Sequence, residues 1–120
     1  MSDKVRIFAY KPFKDSLSPD VYEALKNKFR EYKEKGMQPH DFGRDTTFDF
    51  PEKLRLSGLR HIHIKDKTSN TALIYSSNYF DDNCYLLIGL LDNAHHAYKN
   101  NLLYLLEVSD IADSFSNKNL

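Results

Sequence analysis

Polar and apolar residues alternate from Lys4 to Tyr10, with Val5, Ile7 and Ala9 on one side and Arg6, Phe8 and Tyr10 on the other; a period of two predicts a strand, ended by Pro12. Ser18-Pro19-Asp20 then reads as a helix start, since Ser caps free amides, Pro suits the first helical position and Asp complements the positive helix end. Val21, Leu25, Phe29 and Tyr32 recur at helical spacing with Tyr22 beside them, which predicts a core-facing stripe. Lys26, Lys28, Arg30, Glu31, Lys33, Glu34 and Lys35 form the solvent face of that helix, and Gly36 is its left-handed stop, with Pro39 beyond. Residues Gln38 to Ser57 are punctuated by Pro, Gly and Asp and read as irregular. Leu54, Leu56 and Leu59 suggest a short strand or turn, and Ser57-Gly58 a break before the next element.

Alternation returns in Arg60-His61-Ile62-His63-Ile64-Lys65, where Ile62 and Ile64 share one face of a strand and His61, His63 and Lys65 the other. Asp66 to Asn70 reads as a turn, Ala72 to Ser76 as a short strand, and Asn78 to Asn83 as an acidic, exposed turn. Cys84 to Leu91 is apolar on both faces, the mark of a central strand covered on both sides. A polar segment, Asp92 to Asn101, precedes a last helix that starts near Asn100 or Asn101 and places Leu102, Leu105, Leu106, Ser109 and Ala112 on one face, with Phe115 after them. The length suits one domain, residues 1–120, with a single core.

Composition narrows the function classes. Seventeen basic and seventeen acidic residues cancel, so no global field draws the chain to nucleic acid or to an anionic membrane. The halves differ: residues 1–60 carry 13 Lys or Arg against 10 acids, and residues 61–120 carry 4 against 7. A modest basic surface in the first half is therefore expected. The single Cys84 lies in an apolar run and has no disulfide partner, no signal-peptide core opens the chain, and Tyr85 to Leu91 is too short to span a bilayer. A cytoplasmic protein without a membrane association is the expectation.

Candidate chemistry centres on His61 and His63, about 7 Å apart along one strand face. Imidazole exchanges protons near neutral pH, so the pair suits the two ends of one reacting group. A solvated polar face and a His-x-His metal pair are the alternatives. With no Cys partner or acidic pair at ligand spacing, neither a metal nor a cofactor is expected. Arg44 and Asp45, in Phe42-Gly43-Arg44-Asp45, either pair with each other or face a ligand. A regular strand would turn Arg60 away from the histidines.

Taken together, Arg6-Ile7-Phe8, the helix ending in Tyr32-Lys33 and Gly36, Phe42-Gly43-Arg44-Asp45, His61-Ile62-His63, Leu86-Leu87-Ile88, Asn100-Asn101 and Ala112 with Phe115 resemble the YafO family of bacterial toxin–antitoxin toxins, over roughly residues 5–115. These are ribosome-dependent mRNA interferases related to the RelE group. The resemblance implies an α+β, RelE/ParE-like fold, a small, mostly antiparallel sheet packed by an N-terminal and a C-terminal helix. It also implies metal-independent cleavage of mRNA in the ribosomal A site, and a cognate antitoxin encoded beside the toxin, through which alone DNA would be contacted. The zero net charge departs from the strongly basic RelE-like nucleases and shifts positioning of the message to the ribosome. On this reading one of His61 or His63 pairs with His95 or His96 as base and acid. Arg44 and Asp45 complete the catalytic set, while Arg60, Lys65, Tyr98 and Lys99 contact RNA or phosphate. The same fold hosts ParE-type gyrase inhibitors, and an inactive antitoxin-binding module is a further alternative.

Overall fold

The computed structural model describes residues 5–36, 41–48, 52–65, 70–91 and 102–118. Its elements are β1 (Arg6–Ala9), α1 (Lys11–Asp15), α2 (Pro19–Lys35), β2 (Phe42–Thr47), α3 (Glu52–Leu56), β3 (Leu59–Lys65), β4 (Asn70–Ser77), β5 (Cys84–Leu91) and α4 (Leu102–Ser116). The strands form one sheet in the order β1-β5-β4-β3-β2, with β1 parallel to β5 and every other pairing antiparallel. The α+β, mostly antiparallel architecture read from the sequence is thus present.

Each face of the sheet has its own apolar layer. On one, Phe13, Tyr22 and Phe29 from the two N-terminal helices pack on Phe42, Ile62, Leu73, Tyr75 and Leu87. On the other, Leu105, Val108, Ala112 and Phe115 of α4 pack with Phe48, Leu54, Leu59, Ile74 and Ile88. Helix α2 begins where expected: Ser18 Oγ accepts from the Val21 amide, Pro19 occupies the first turn, and Gly36 ends the helix at φ 67°, a conformation that carries no Cβ penalty in glycine. Burying Phe29 completely contributes on the order of 2–3 kcal/mol of apolar transfer.

Several expectations are corrected. Val21 is exposed, because the buried stripe of α2 runs through Tyr22, Leu25, Phe29 and Tyr32, a spacing of three, four and three that rotates Val21 outward. The segment read as irregular contains β2 and α3. In β2 the polar run Arg44 to Thr47 suits an edge strand with one half-solvated face, which hides it from an apolar-period search. Leu54 and Leu56 belong to the one-turn helix α3, and Gly58 at φ 81° makes the expected break before β3. Strand β4 extends over Asn70–Ser77 and is the central strand, while β5 lies beside it. Asn78, expected at the surface, is buried: its amide donates to the Phe115 and Lys118 carbonyls at 2.7 Å each, and its Oδ1 accepts from the Phe80 and Asp81 amides. The turn after β4 therefore caps the end of α4, where the Tyr79 amide also donates to the Ser116 carbonyl at 2.8 Å.

Candidate functional site

Strand β3 distributes its polar residues between two different environments. Its register sets His61 opposite Thr46 of β2 and Ile74 of β4, and His63 opposite Ala72, so both imidazoles lie on the α4 side of the sheet, as the alternation requires. Their ring centroids are 5.2 Å apart, edge to face. His61 is half-buried and lies 4.3 Å from the Phe48 ring, and its Nδ1 is buried without a hydrogen-bond partner among the described residues. Burial first, and then the neighbouring charges of His63, Arg44 and Arg60, push its pKa down to about 4 against a smaller upward pull from Asp45. At neutral pH His61 is an uncharged imidazole with an unused polar atom. Arg44 is exposed and within electrostatic reach of it, and has no ion pair among the described residues.

The opposite face of the same strands carries a closed polar network. Asp45 Oδ2 accepts from the Tyr32 hydroxyl at 2.7 Å, from the Tyr75 hydroxyl at 2.7 Å and from Lys33 Nζ at 3.5 Å. Arg60 Nε donates to Asp45 Oδ1 at 3.3 Å and to the Tyr75 hydroxyl at 3.2 Å. Lys33 Nζ also donates to that hydroxyl at 3.0 Å and lies 4.7 to 5.7 Å from the centroids of Tyr32, Tyr75, Tyr85 and Phe29. Burial alone would raise the Asp45 pKa. The hydrogen bonds from Tyr32 and Tyr75 and the charges of Lys33 and Arg60 outweigh it and hold the carboxylate below its ordinary value. Burial also raises both phenols, Tyr32 to about 12. The network joins α2 to β2, β3 and β4, and its two cations exceed its single carboxylate by one charge.

The structure thus brings His61 and His63 to one side, with Arg44 in electrostatic reach of His61, and sends Asp45 and Arg60 to the other. Arg60 faces away from the histidines as the alternation predicted, and Asp45 pairs with Arg60 and Lys33 rather than with Arg44. Lys65 ends β3, but its side chain lies outside the described residues, as do His95, His96, Tyr98 and Lys99. Among the described residues no group of three His, Cys, Asp or Glu side chains is placed to hold a metal ion, and no helix is long and apolar enough to cross a membrane. Sequence reasoning missed Tyr32, Lys33 and Tyr75 as polar partners. Lys33, assigned to the solvent face of α2, is one position past the buried stripe, and its side chain is only 18% exposed. The alternation of Leu73 with Tyr75 in β4 was the available signal for the buried tyrosine.

A five-stranded sheet with two helical layers and a strand bearing paired histidines defines a small α+β protein with a polar patch beside one edge. The family model described as Toxin YafO, type II toxin-antitoxin system, matches residues 30–117, and the chain belongs to that family. It is 26% identical over 129 residues to the mRNA interferase toxin YafO of Escherichia coli (strain K12), an alignment covering 92% of this chain and 97% of that protein. No solved structure matches it significantly. Membership of a type II toxin–antitoxin family implies a cognate antitoxin as protein partner.

Proposed function

We propose that this chain is an mRNA endonuclease acting on translating ribosomes in the cytoplasm, and that the message lies against the His61–His63 face. The observation that carries the reading is the pair of adjacent imidazoles on one strand face with Arg44 in reach, in a chain similar over most of its length to a protein named an mRNA interferase toxin. The chemistry is an internal transfer. A neutral imidazole takes the proton of a ribose 2′-hydroxyl, the freed oxygen attacks the adjacent phosphorus, and the bond to the 5′ oxygen breaks as a second group protonates that oxygen. The products are a 2′,3′-cyclic phosphate and a 5′-hydroxyl, and DNA, lacking the 2′-hydroxyl, is inert.

His61 begins this reaction in the correct, uncharged form. Burial is the main cause of its low proton affinity, and the charges of His63, Arg44 and Arg60 add to it. A phosphodiester brought against Arg44 supplies the opposite charge and raises the His61 pKa toward the working range as the substrate docks. Arg44 then contacts the crowded phosphorane in the bidentate manner of a guanidinium. His63, or His95 or His96 from the segment after β5, supplies the second proton-transfer group, with Lys65 and Lys99 as point charges and Tyr98 as a stacking surface. Asp45 and Arg60 act from the far face, holding β2 and β3 in register beneath the histidines. A chain of zero net charge has little general attraction for RNA, which supports delivery of the message by the ribosome, with DNA contacted only through the antitoxin.

Controlled expression of the wild type and of His61→Ala with His63→Ala, with 5′ ends of a reporter mRNA mapped while translation runs or is blocked, tests the proposal. Discrete cuts that require translation and fall by at least about 100-fold in the double variant are expected. Growth arrest without cuts, unchanged by the substitutions, overturns the nuclease reading. The pair His61→Gln with His63→Gln, which keeps polarity and bulk, separates loss of chemistry from loss of folding.

A further inference from the structure

The two edges of the sheet are β2 and β1, and on β1 the backbone groups can be followed one by one. Arg6 and Tyr10 direct their amides inward, to the carbonyls of Asn83 and Leu87, each at 2.8 Å. A parallel ladder engages alternate residues, so Val5, Ile7 and Ala9 direct their N–H and C=O groups to the open side. The groups of Val5 are taken by α2: its amide donates to Glu34 Oε2 at 3.1 Å and its carbonyl accepts from Arg30 Nη1 at 2.8 Å. No hydrogen bond from the described residues reaches the outward groups of Ile7 and Ala9. Helix α2 thus blunts the edge at its start and leaves a short open length beyond it.

Beside that open length is an apolar groove of about 360 Å³ whose walls include Phe8, Leu86, Ile111 and Phe115. Phe8 is 45% exposed although its ring meets Phe115 edge-on at 6.2 Å, so among the described residues the groove presents open aromatic surface. Lys11 and Lys118 also line it, both exposed and in no ion pair among the described residues. Unpaired backbone donors and acceptors, an apolar slot and a basic rim together describe a receptor for an extended polypeptide.

We propose that the open side of β1 and this groove receive an extended segment of the cognate antitoxin, which adds to the sheet as a sixth strand. Its backbone pairs with Ile7 and Ala9, an apolar side chain enters between Phe8 and Phe115, and an acidic side chain meets Lys11 and Lys118. The proposal rests on the toxin–antitoxin reading for the identity of the partner. Charge disfavours a second copy of this chain, since antiparallel pairing of two β1 strands about Phe8 runs Lys11 of each toward Arg6 of the other, whose ion-pair partner Asp81 would then face two cations. The segment binds three strands away from the histidines, so the contact is an anchor and leaves any cover of the His61–His63 face to the rest of the antitoxin.

The test uses full-length toxin and the purified antitoxin encoded beside it, titrated calorimetrically. Ala9→Pro removes an outward N–H without touching the ladder to β5, a substitution that edge strands tolerate. Because Ala9 also packs against the α2-side core, the double variant Lys11→Glu with Lys118→Glu serves as an independent probe. An affinity loss of at least about tenfold in each variant, with thermal stability retained by the lysine variant, supports the proposal. So does protection of the Ile7 and Ala9 amides from hydrogen exchange on complex formation. Full affinity in both variants, with those amides exchanging as in the free toxin, places the antitoxin elsewhere and overturns it. Dimerisation of the toxin alone that Ala9→Pro abolishes assigns the edge to a second copy and also overturns it. Mapping of mRNA ends in the absence of antitoxin decides the nuclease reading separately, so the two can fail independently.

Discussion

The two sides of the β2–β3 ribbon are built from neighbouring residues and meet opposite fates. On the α2 side, Asp45, Arg60, Tyr32, Tyr75 and Lys33 satisfy one another, with every carboxylate oxygen accepting at least two bonds. On the α4 side, half-buried His61 has a buried nitrogen with no partner among the described residues and a depressed proton affinity, between an aromatic ring and a second imidazole. A closed network fixes geometry, whereas a buried polar atom left without a partner calls for an explanation in function. The lesson is that the more elaborate cluster of charges is satisfied within the fold, whereas the plainer histidine face, the proposed seat of the message, keeps a polar atom without a partner among the described residues.

Breaking the scaffold side has the largest expected effect on stability. Asp45→Ala leaves Lys33 and Arg60 half-buried without their carboxylate and is expected to cost about 3 kcal/mol, read as a lower denaturant midpoint at unchanged slope. The same carboxylate ties stability to acid. Its folded pKa is depressed, so its contribution is complete above the ordinary value near 3.8 and is lost as pH falls through the lower folded value, a dependence that Asp45→Asn removes.

The histidine side is expected to show a smaller and separable dependence. The His61 pKa is about 4 in the folded chain against an ordinary 6.5, so the unfolded chain binds more protons between those values and stability falls as pH drops from 6.5 toward 4. After screening at a half-buried site the change is about 1–2 kcal/mol, and His61→Leu removes it while Asp45→Asn does not. Persistence of this limb in His61→Leu, in melts between pH 7 and pH 4, argues against a buried neutral imidazole. Smallest of the three, Tyr75→Phe deletes one hydroxyl from the network while keeping the ring that packs 4.9 Å from Phe29, and is expected to cost about 0.5–1 kcal/mol. A comparable loss of mRNA cleavage in Tyr75→Phe without loss of stability would move function to the α2 side and reverse the comparison.

The sequence made one side of this comparison easier to see than the other. His61 and His63 announce themselves within three residues, and a period of two is sufficient to place them together and to turn Arg60 away. The network on the far face joins Asp45 to Tyr75 thirty positions away and to Lys33 twelve positions away, across a helix, an edge strand and the central strand. No local period carries that information. Strand β2 escaped notice because Arg44 to Thr47 is polar along its length, and α3 because one helical turn shows no repeat. Strand β5 and helix α4 were apparent since long apolar runs and a helical stripe survive without tertiary context. The placement of β5 beside the centre was not apparent, because apolar faces report burial and not strand order.

The parallel pairing of β1 with β5 has a consequence in time. Arg6 lies in register with Cys84, so the first strand made on the ribosome has no neighbour until the last strand has emerged, and the layer behind His61 waits longer still for Leu105, Val108, Ala112 and Phe115. The apolar layer behind the histidine face therefore closes only once α4 has been made.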